Sequence, residues 1–423
     1  MIKSFQFENF KSFQEASLDI EKLTILIGTN ASGKTNAIEG IKILSEIATG
    51  RELAMVLDGS KNIDSGIRGG SRGCCRFSTT HFKLGCIVDL DDETDLHYSI
   101  KIKVGDRIIV EEESLYRVWQ NIKNKDDLLF KTKRASKESG DIKVEFNNGK
   151  SGKNPDTLCI RSMSILSQII SKLPNQTEKT KGLIESIDLV INNLRHILFL
   201  DPVPSQMRDY SRIGDVQLRP QADNLSSVLY HLSQDNHNKQ AILDMIATLP
   251  ENDIKDIDFV KTNIGDVMFQ LKESYGDKEE AIEAKRLSDG TIRCMAVIAA
   301  LISEKAGNIV IIEEVDNGIH PSRANSLIKH IAKLAEERKI DVIITTHNPA
   351  LLNAVQGDNL YGVSICYRSK EDKSSKIISF IDIEKYPSLL AQGGLGDLAT
   401  NDTITKVLKE ENKLTKDYSW LEV

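Results

Sequence analysis

Hydrophobic positions along this chain form short unbroken runs, two-residue alternations and helical repeats, and their order predicts its organisation. Runs at 24–27, 309–312 and 342–344 are dense in Ile, Val and Leu, the pattern of strands buried on both faces. Alternation through residues 1–20, interrupted at Asn9-Phe10-Lys11-Ser12-Phe13, predicts two antiparallel strands leading into the first run. Alternation at 80–89, 97–104 and 107–111 predicts an antiparallel meander ending near Trp119. Helical spacing of Ala37, Ile38, Ile41, Leu44 and Ile47 follows the first run, and helices are expected at 157–173, 178–196, 222–234, 237–248, 295–302 and 323–337. Pro174-Asn175 marks a break. Short strands are expected at 198–200, 257–262, 265–271, 359–367 and 376–381.

The junction of the first run with its helix carries the strongest chemical pattern. Gly28-Thr29-Asn30-Ala31-Ser32-Gly33-Lys34-Thr35 fits G-x-x-x-x-G-K-[ST] at every fixed position, between a strand and a helix. Polyphosphate needs several donors converging on a small volume, and a loop curled with its N–H groups inward at a helix start supplies them. Gly28 and Gly33 let backbone approach closely, Lys34 would reach the β- and γ-phosphates, and the Thr35 hydroxyl would hold Mg²⁺. Lys11, in the turn between the first two strands, could lean toward the same nucleotide.

Composition narrows the field. A net charge of −7 excludes a generally basic, DNA-coating surface, so any nucleic-acid contact is a local patch. The N-terminus lacks the layout of a signal peptide, and the most apolar stretch, 294–302, is about half a membrane span; a soluble, cytoplasmic protein without membrane partners is expected. Six cysteines include no C-x-x-C pair, so neither a disulfide frame nor a zinc site is indicated. Cys74-Cys75, between Arg72 and Arg76, reads as buried or incidental strand cysteines rather than a reactive thiol pair. Gly66 to Gly73 reads as a mobile loop. Residues 121–156, rich in Lys, acids, Gly, Ser and Asn, read as a solvated, partly disordered excursion, with a DNA-facing patch as the alternative.

Three later stretches complete a set. Arg286-Leu287-Ser288-Asp289-Gly290-Thr291 opens an apolar helix, so the Ser hydroxyl, backbone N–H groups and helix dipole can face a phosphate. The run 309–312 ends in Glu313-Glu314, where one carboxylate can hold Mg²⁺ through water and the other can deprotonate an attacking water. The run 342–344 delivers His347 at its tip.

Together, Lys34, Ser288, Glu314 and His347 resemble the nucleotide site of ABC-type ATPases. Leu287 to Thr291 stand where that superfamily has LSGGQ, Glu313 to His320 lie over D-E-P-T-S-A-L-D, and His347 over the switch histidine. The opening Asn9-Phe10-Lys11-Ser12-Phe13 and the E-E-x-x-N-G-x-H-P string are similar to the soluble RecF/SMC-like branch, and within it to AAA-family ATPases related to the overcoming-lysogenization-defect proteins, many of them bacterial anti-phage subunits. Glu313 departs from the usual Mg-side Asp, and Gln206 is the candidate for the Q-loop residue.

The resemblance implies an α/β ABC-ATPase head, a mixed sheet around the phosphate loop with an antiparallel β subdomain, and a helical insertion between loop and signature. The expected division is an ATPase lobe at 1–120, a mainly helical insertion at 121–280, a second lobe at 281–381 and tail helices at 382–423. It assigns Lys11, Asn30, Gly33, Lys34, Thr35, Asn36, Ser288 and Gly290 to ATP, Thr35, Glu313 and Gln206 to Mg²⁺, and Glu314 and His347 to catalysis. Two chains would sandwich two ATP molecules in a homodimer or higher oligomer, gating a separate effector expected to be a nuclease; no nuclease site of its own is expected. The alternative is a DNA repair or recombination ATPase that clamps DNA, for which DNA alone would stimulate hydrolysis. An ATP-binding transporter subunit is disfavoured by the long insertion between Lys34 and Ser288.

Overall fold

The structure, a computed structural model, describes residues 1–59, 66–122, 125–136, 139–150, 152–173, 178–247, 254–275, 278–316, 324–384, 386–401 and 403–410. In chain order the strands are β1 (Ile2–Phe10), β2 (Phe13–Asp19), β3 (Leu23–Ile27), β4 (His81–Asp91), β5 (Thr94–Lys103), β6 (Ile109–Trp119), β7 (Asp126–Thr132), β8 (Asp141–Phe146) and β9 (Asp156–Ile160). They continue with β10 (Ile197–Leu200), β11 (Ser211–Arg212), β12 (Ile254–Lys261), β13 (Asp266–Tyr275), β14 (Lys278–Glu283), β15 (Ile309–Ile312), β16 (Asp341–Thr345), β17 (Val363–Arg368) and β18 (Ser375–Ser379).

One mixed sheet of 14 strands runs β10-β15-β16-β3-β17-β18-β2-β1-β4-β5-β6-β7-β8-β9. Its first five strands are parallel. Their side chains alternate between two cores: Ile25, Ile27, Val310, Ile312, Val342 and Ile344 enter one, and Leu26, Ile309, Ile311 and Ile343 the other. That two-sided burial is why these strands read as unbroken apolar runs. The helices Asp289–Ser303 and Ala324–Arg338 contribute to the first core, and Lys34–Ala48 and Glu178–Arg195 to the second.

From β2 to β9 the sheet is antiparallel and one-faced. Phe5, Phe7, Phe10 and Phe13 are fully buried, with the Phe7 and Phe13 rings stacked 5.4 Å apart. Gly40 lets the helix Lys34–Ala48 rest on the Phe7 ring, which a Cβ would approach to 2.6 Å. A separate sheet of four strands places β11 and β14 along one edge of β13 and β12 along the other.

Three expectations are corrected here. Residues 121–156, read as a flexible excursion at the head of a mainly helical insertion, carry β7, β8 and the start of β9 among the described residues. Phe130, Ile142, Val144 and Phe146 face the core at two-residue spacing while Lys131 and Lys143 face outward, so the lysines are the solvated side of a sheet. The stretch 157–173 is not a helix but β9, a turn and the short helix Ile169–Lys172. There the buried Glu113 carboxylate accepts bonds from the Ile165 and Leu166 N–H groups at 2.7 and 2.8 Å and from the Ser164 and Tyr98 hydroxyls, replacing the bonds a helix would need. The Gly/Arg segment at 66–73 packs onto Asp58 and enters the helix Gly70–Cys74, with Ser71 N–H donating to the Asp58 carboxylate.

Cys74 is buried, and burial pushes its thiol up to about 12, an inert core cysteine. The tail carries the helices Tyr386–Leu390, Leu395–Thr400 and Thr403–Glu410, and residues 411–423 lie outside the described residues. No helix among the described residues is long and apolar enough to cross a membrane.

Candidate functional site at the ends of the parallel strands

The loop after β3 turns over the start of the helix Lys34–Ala48. Gly28 has φ +148°, and a Cβ there would lie 2.2 Å from the Cys366 carbonyl oxygen. Gly33, φ +124°, would meet Phe13 and Ser375 at 3.0 Å. Only glycine lets the loop lie this close to β17 and the start of β2. Lys34 is 7 % exposed, and its Nζ donates to the Gly28 and Thr29 carbonyls at 2.7 and 3.2 Å, which holds the ammonium inside the curl. Burial lowers its pKa from the usual lysine value, against the opposing pull of Cys366, Glu314 and Glu313. Asn30 is exposed on the loop, Thr35 is half-buried, and among the described residues no side chain caps the helix. Its first N–H groups are therefore free of a side-chain acceptor, as an anion site needs.

β15 ends beside this loop and hands the chain to Glu313 and Glu314. Glu314 has φ +49°, a left-handed conformation that costs a non-glycine residue about 1–2 kcal/mol and concentrates at functional turns. Its N–H is held by the Thr345 hydroxyl at 2.9 Å, at the end of the adjacent β16. Partial burial raises the Glu313 carboxyl above its usual range, and Asp201, Glu39 and Glu314 add to the shift. Two residues beyond β16, His347 is kept below the ordinary imidazole value by desolvation and by Lys34, with Glu314 and Asp316 opposing. Lys34, Glu313, Glu314 and His347 are thus brought together from three adjoining strands.

Ser288 caps the helix Asp289–Ser303, its Oγ accepting from the Thr291 N–H at 3.1 Å. Leu287 is buried as an anchor, while Ser288 and Asp289 are exposed and Gly290 is half-buried. This turn presents its polar face outward.

Other assignments fare differently. Lys11 is committed to Glu39 at 2.7 Å and to the Arg68 carbonyl, bonds that fix the phosphate-loop helix. Asn36 bridges the Ser12 hydroxyl and Arg68. Gln206 is exposed in the helix Pro204–Met207. The later part of E-E-x-x-N-G-x-H-P, 317–321, lies outside the described residues. Two groups escaped the sequence reading. Asp201 follows β10 directly and acts on Glu313; an acid closing a short apolar run was its signal. Arg68 donates to the Asn36 side chain at 3.2 Å and lies near Glu313, and only its Gly/Arg-rich surroundings hinted at it.

A phosphate loop on a central parallel strand, with carboxylates and a histidine at the tips of its neighbours, is the arrangement of a phosphate-loop ATPase domain. Residues 23–353 match the family model described as "AAA domain, putative AbiEii toxin, Type IV TA system", and the chain belongs to that family. No curated protein matches. Solved structures similar to it include an Smc head bound to the C-winged helix domain of ScpA, at 12 % identity and TM-score 0.48, covering 89 % of this chain and 97 % of that one. An SMC head domain from Thermotoga maritima is similar at 12 % identity and TM-score 0.41, covering 89 % and 98 %. A third is an Smc head with an extended coiled coil, bound to the C-terminal domain of ScpA derived from Pyrococcus furiosus, at 11 % identity and TM-score 0.46, covering 92 % and 98 %.

Proposed function

We propose that this chain is a Mg²⁺-dependent ATPase that pairs with a second copy around two ATP molecules and acts as a nucleotide-gated switch for a separately encoded effector in bacterial anti-phage defence. The observation that carries the enzymatic part is the convergence of Lys34, Glu313, Glu314 and His347. Lys34 neutralises phosphate charge from within the loop. Glu314 is held by its left-handed turn to orient the attacking water and accept its proton, and neutral His347 hydrogen-bonds the oxygens that gain charge.

The residues fit a divalent cation. Glu313 sits among three other acids, a crowding that Mg²⁺ relieves, and Thr35 offers a hydroxyl at the helix start. Thr35 and Glu313 would hold Mg²⁺, which when bound screens the charge of the phosphates.

Pairing is supported by the outward Ser288 turn. A toxin–antitoxin setting is supported by the description of the matching family, which names a "putative AbiEii toxin"; the anti-phage role, the separate nuclease effector and the cytoplasmic setting extend the sequence resemblance to the overcoming-lysogenization-defect proteins. Glu314→Gln tests the core of the reading: multi-turnover hydrolysis should fall by about 100-fold or more while the ATP-bound dimer accumulates. Hydrolysis retained within about threefold would remove Glu314 from this role. Purification of the native chain from its host with its protein and nucleic-acid companions tests the effector.

A further inference from the structure

The segment 201–210 runs from the nucleotide-site acids to the outward signature turn. It starts at Asp201, which acts on Glu313. Two backbone bonds pin it: Asp201 N–H donates to the Pro220 carbonyl at 2.9 Å and Val203 N–H to the Gln221 carbonyl at 3.1 Å. Pro202 and Pro204 are buried and restrict the backbone, and fully buried Met207 closes a short helix that packs against the helix Asp289–Ser303. The segment is therefore a strut rather than a slack connection.

At its far end one atom, Arg208 Nη2, donates to both the Leu287 carbonyl and the Asp289 carboxylate, each at 2.7 Å. These two groups flank Ser288. One residue on, Asp209 pairs with Lys285 at 3.5 Å, just upstream of the turn. Asp289 is 71 % exposed, so the ion pair is screened by solvent and contributes little to folding. Its consequence is geometric, because it fixes the peptides on either side of the hydroxyl that would face a second copy's ATP.

We infer that Arg208 is a positioning residue for catalysis: it holds the Ser288 turn in the orientation that completes the facing copy's site, at the end of a strut that begins beside Glu313. This rests on the paired-ATP reading above. Arg208 touches no phosphate in this account and acts through Ser288.

The test compares Arg208→Ala, Arg208→Lys and Ser288→Arg in the full chain. Arg208→Ala should lower kcat and weaken ATP-dependent dimerisation by about tenfold or more, leave the monomer's affinity for a fluorescent ATP analogue within about twofold, and shift Tm by less than about 3 °C. Arg208→Lys should recover part of the loss, since an ammonium can also donate to the carbonyl and carboxylate. Ser288→Arg should abolish the dimer. If Ser288→Arg does so while Arg208→Ala leaves kcat and dimer within about twofold of the parent, the inference about Arg208 is wrong and the paired reading stands. If neither variant affects the dimer, the paired reading fails and takes the inference with it. A fall in analogue affinity at unchanged kcat, or a fall in Tm matching the loss of activity, would also overturn it.

Discussion

Two helices of 15 residues, Lys34–Ala48 and Asp289–Ser303, open on glycine-containing turns, yet the turns differ in almost every physical respect. The first is enclosed: Gly33 has φ +124°, Lys34 is 7 % exposed, and no side chain among the described residues caps the helix start. The second is on the surface: Ser288 has an ordinary φ of −66°, is exposed, and caps its own helix. An uncapped start wrapped around a buried ammonium is a container for an anion within one chain. A self-capped start on an exposed turn is, in the paired reading proposed above, a surface that would act on something outside the chain. The same local chemistry thus serves opposite ends, and what separates them is burial.

The sharpest way to break this contrast is Lys34→Ala, which empties the container. ATP affinity should fall by about 100-fold, the scale of two charge-assisted hydrogen bonds, in a fluorescent-analogue titration. A loss below about threefold would mean the ammonium is not inside the site. Ser288→Arg should instead spare that affinity within about twofold and remove the ATP-dependent dimer in light scattering, because a bulky cation then faces the partner surface. An unchanged dimer would erase the distinction between the turns.

Gly28→Ala should act on the enclosed turn by a different route. With a Cβ forced to 2.2 Å from the Cys366 carbonyl oxygen, the loop must shift, and ATP affinity measured by calorimetry should drop by about tenfold. An alanine tolerated within about twofold would show that the contact with β17 does not shape the cradle.

The smallest expected effect is on pH. His347 has a folded pKa below the usual 6.5, so the folded chain binds fewer protons here than the unfolded one, and acidification below 6.5 costs both stability and the neutral ring. Hydrolysis at saturating ATP should be level above pH 7 and fall about threefold on an acid limb centred below 6.5. His347→Asn should abolish that limb while lowering the plateau; an acid limb unchanged in the variant would assign it to another group.

The parallel half of the sheet was readable because β3, β15 and β16 are buried on both faces and therefore unbroken in sequence. Residues at their tips could be picked out by position alone. The antiparallel half was readable only as far as Trp119: in β7 and β8 the apolar positions are few, and alternate lysines on the solvated face resemble a disordered tract. The stretch 157–173 was misjudged because Glu113, more than forty residues away, captures the N–H groups a helix would have used.

The sequence by itself determined the phosphate loop, the buried strands that aim Glu313, Glu314 and His347, and the helix that Ser288 caps, since glycine spacing and apolar runs act over a few residues. Tertiary structure alone decided that Lys11 serves Glu39, that Asp201 and Arg68 approach Glu313, and that Arg208 grips the turn around Ser288. Those pairings depend on which strands lie side by side, and charge acts through space between residues that the chain order keeps apart.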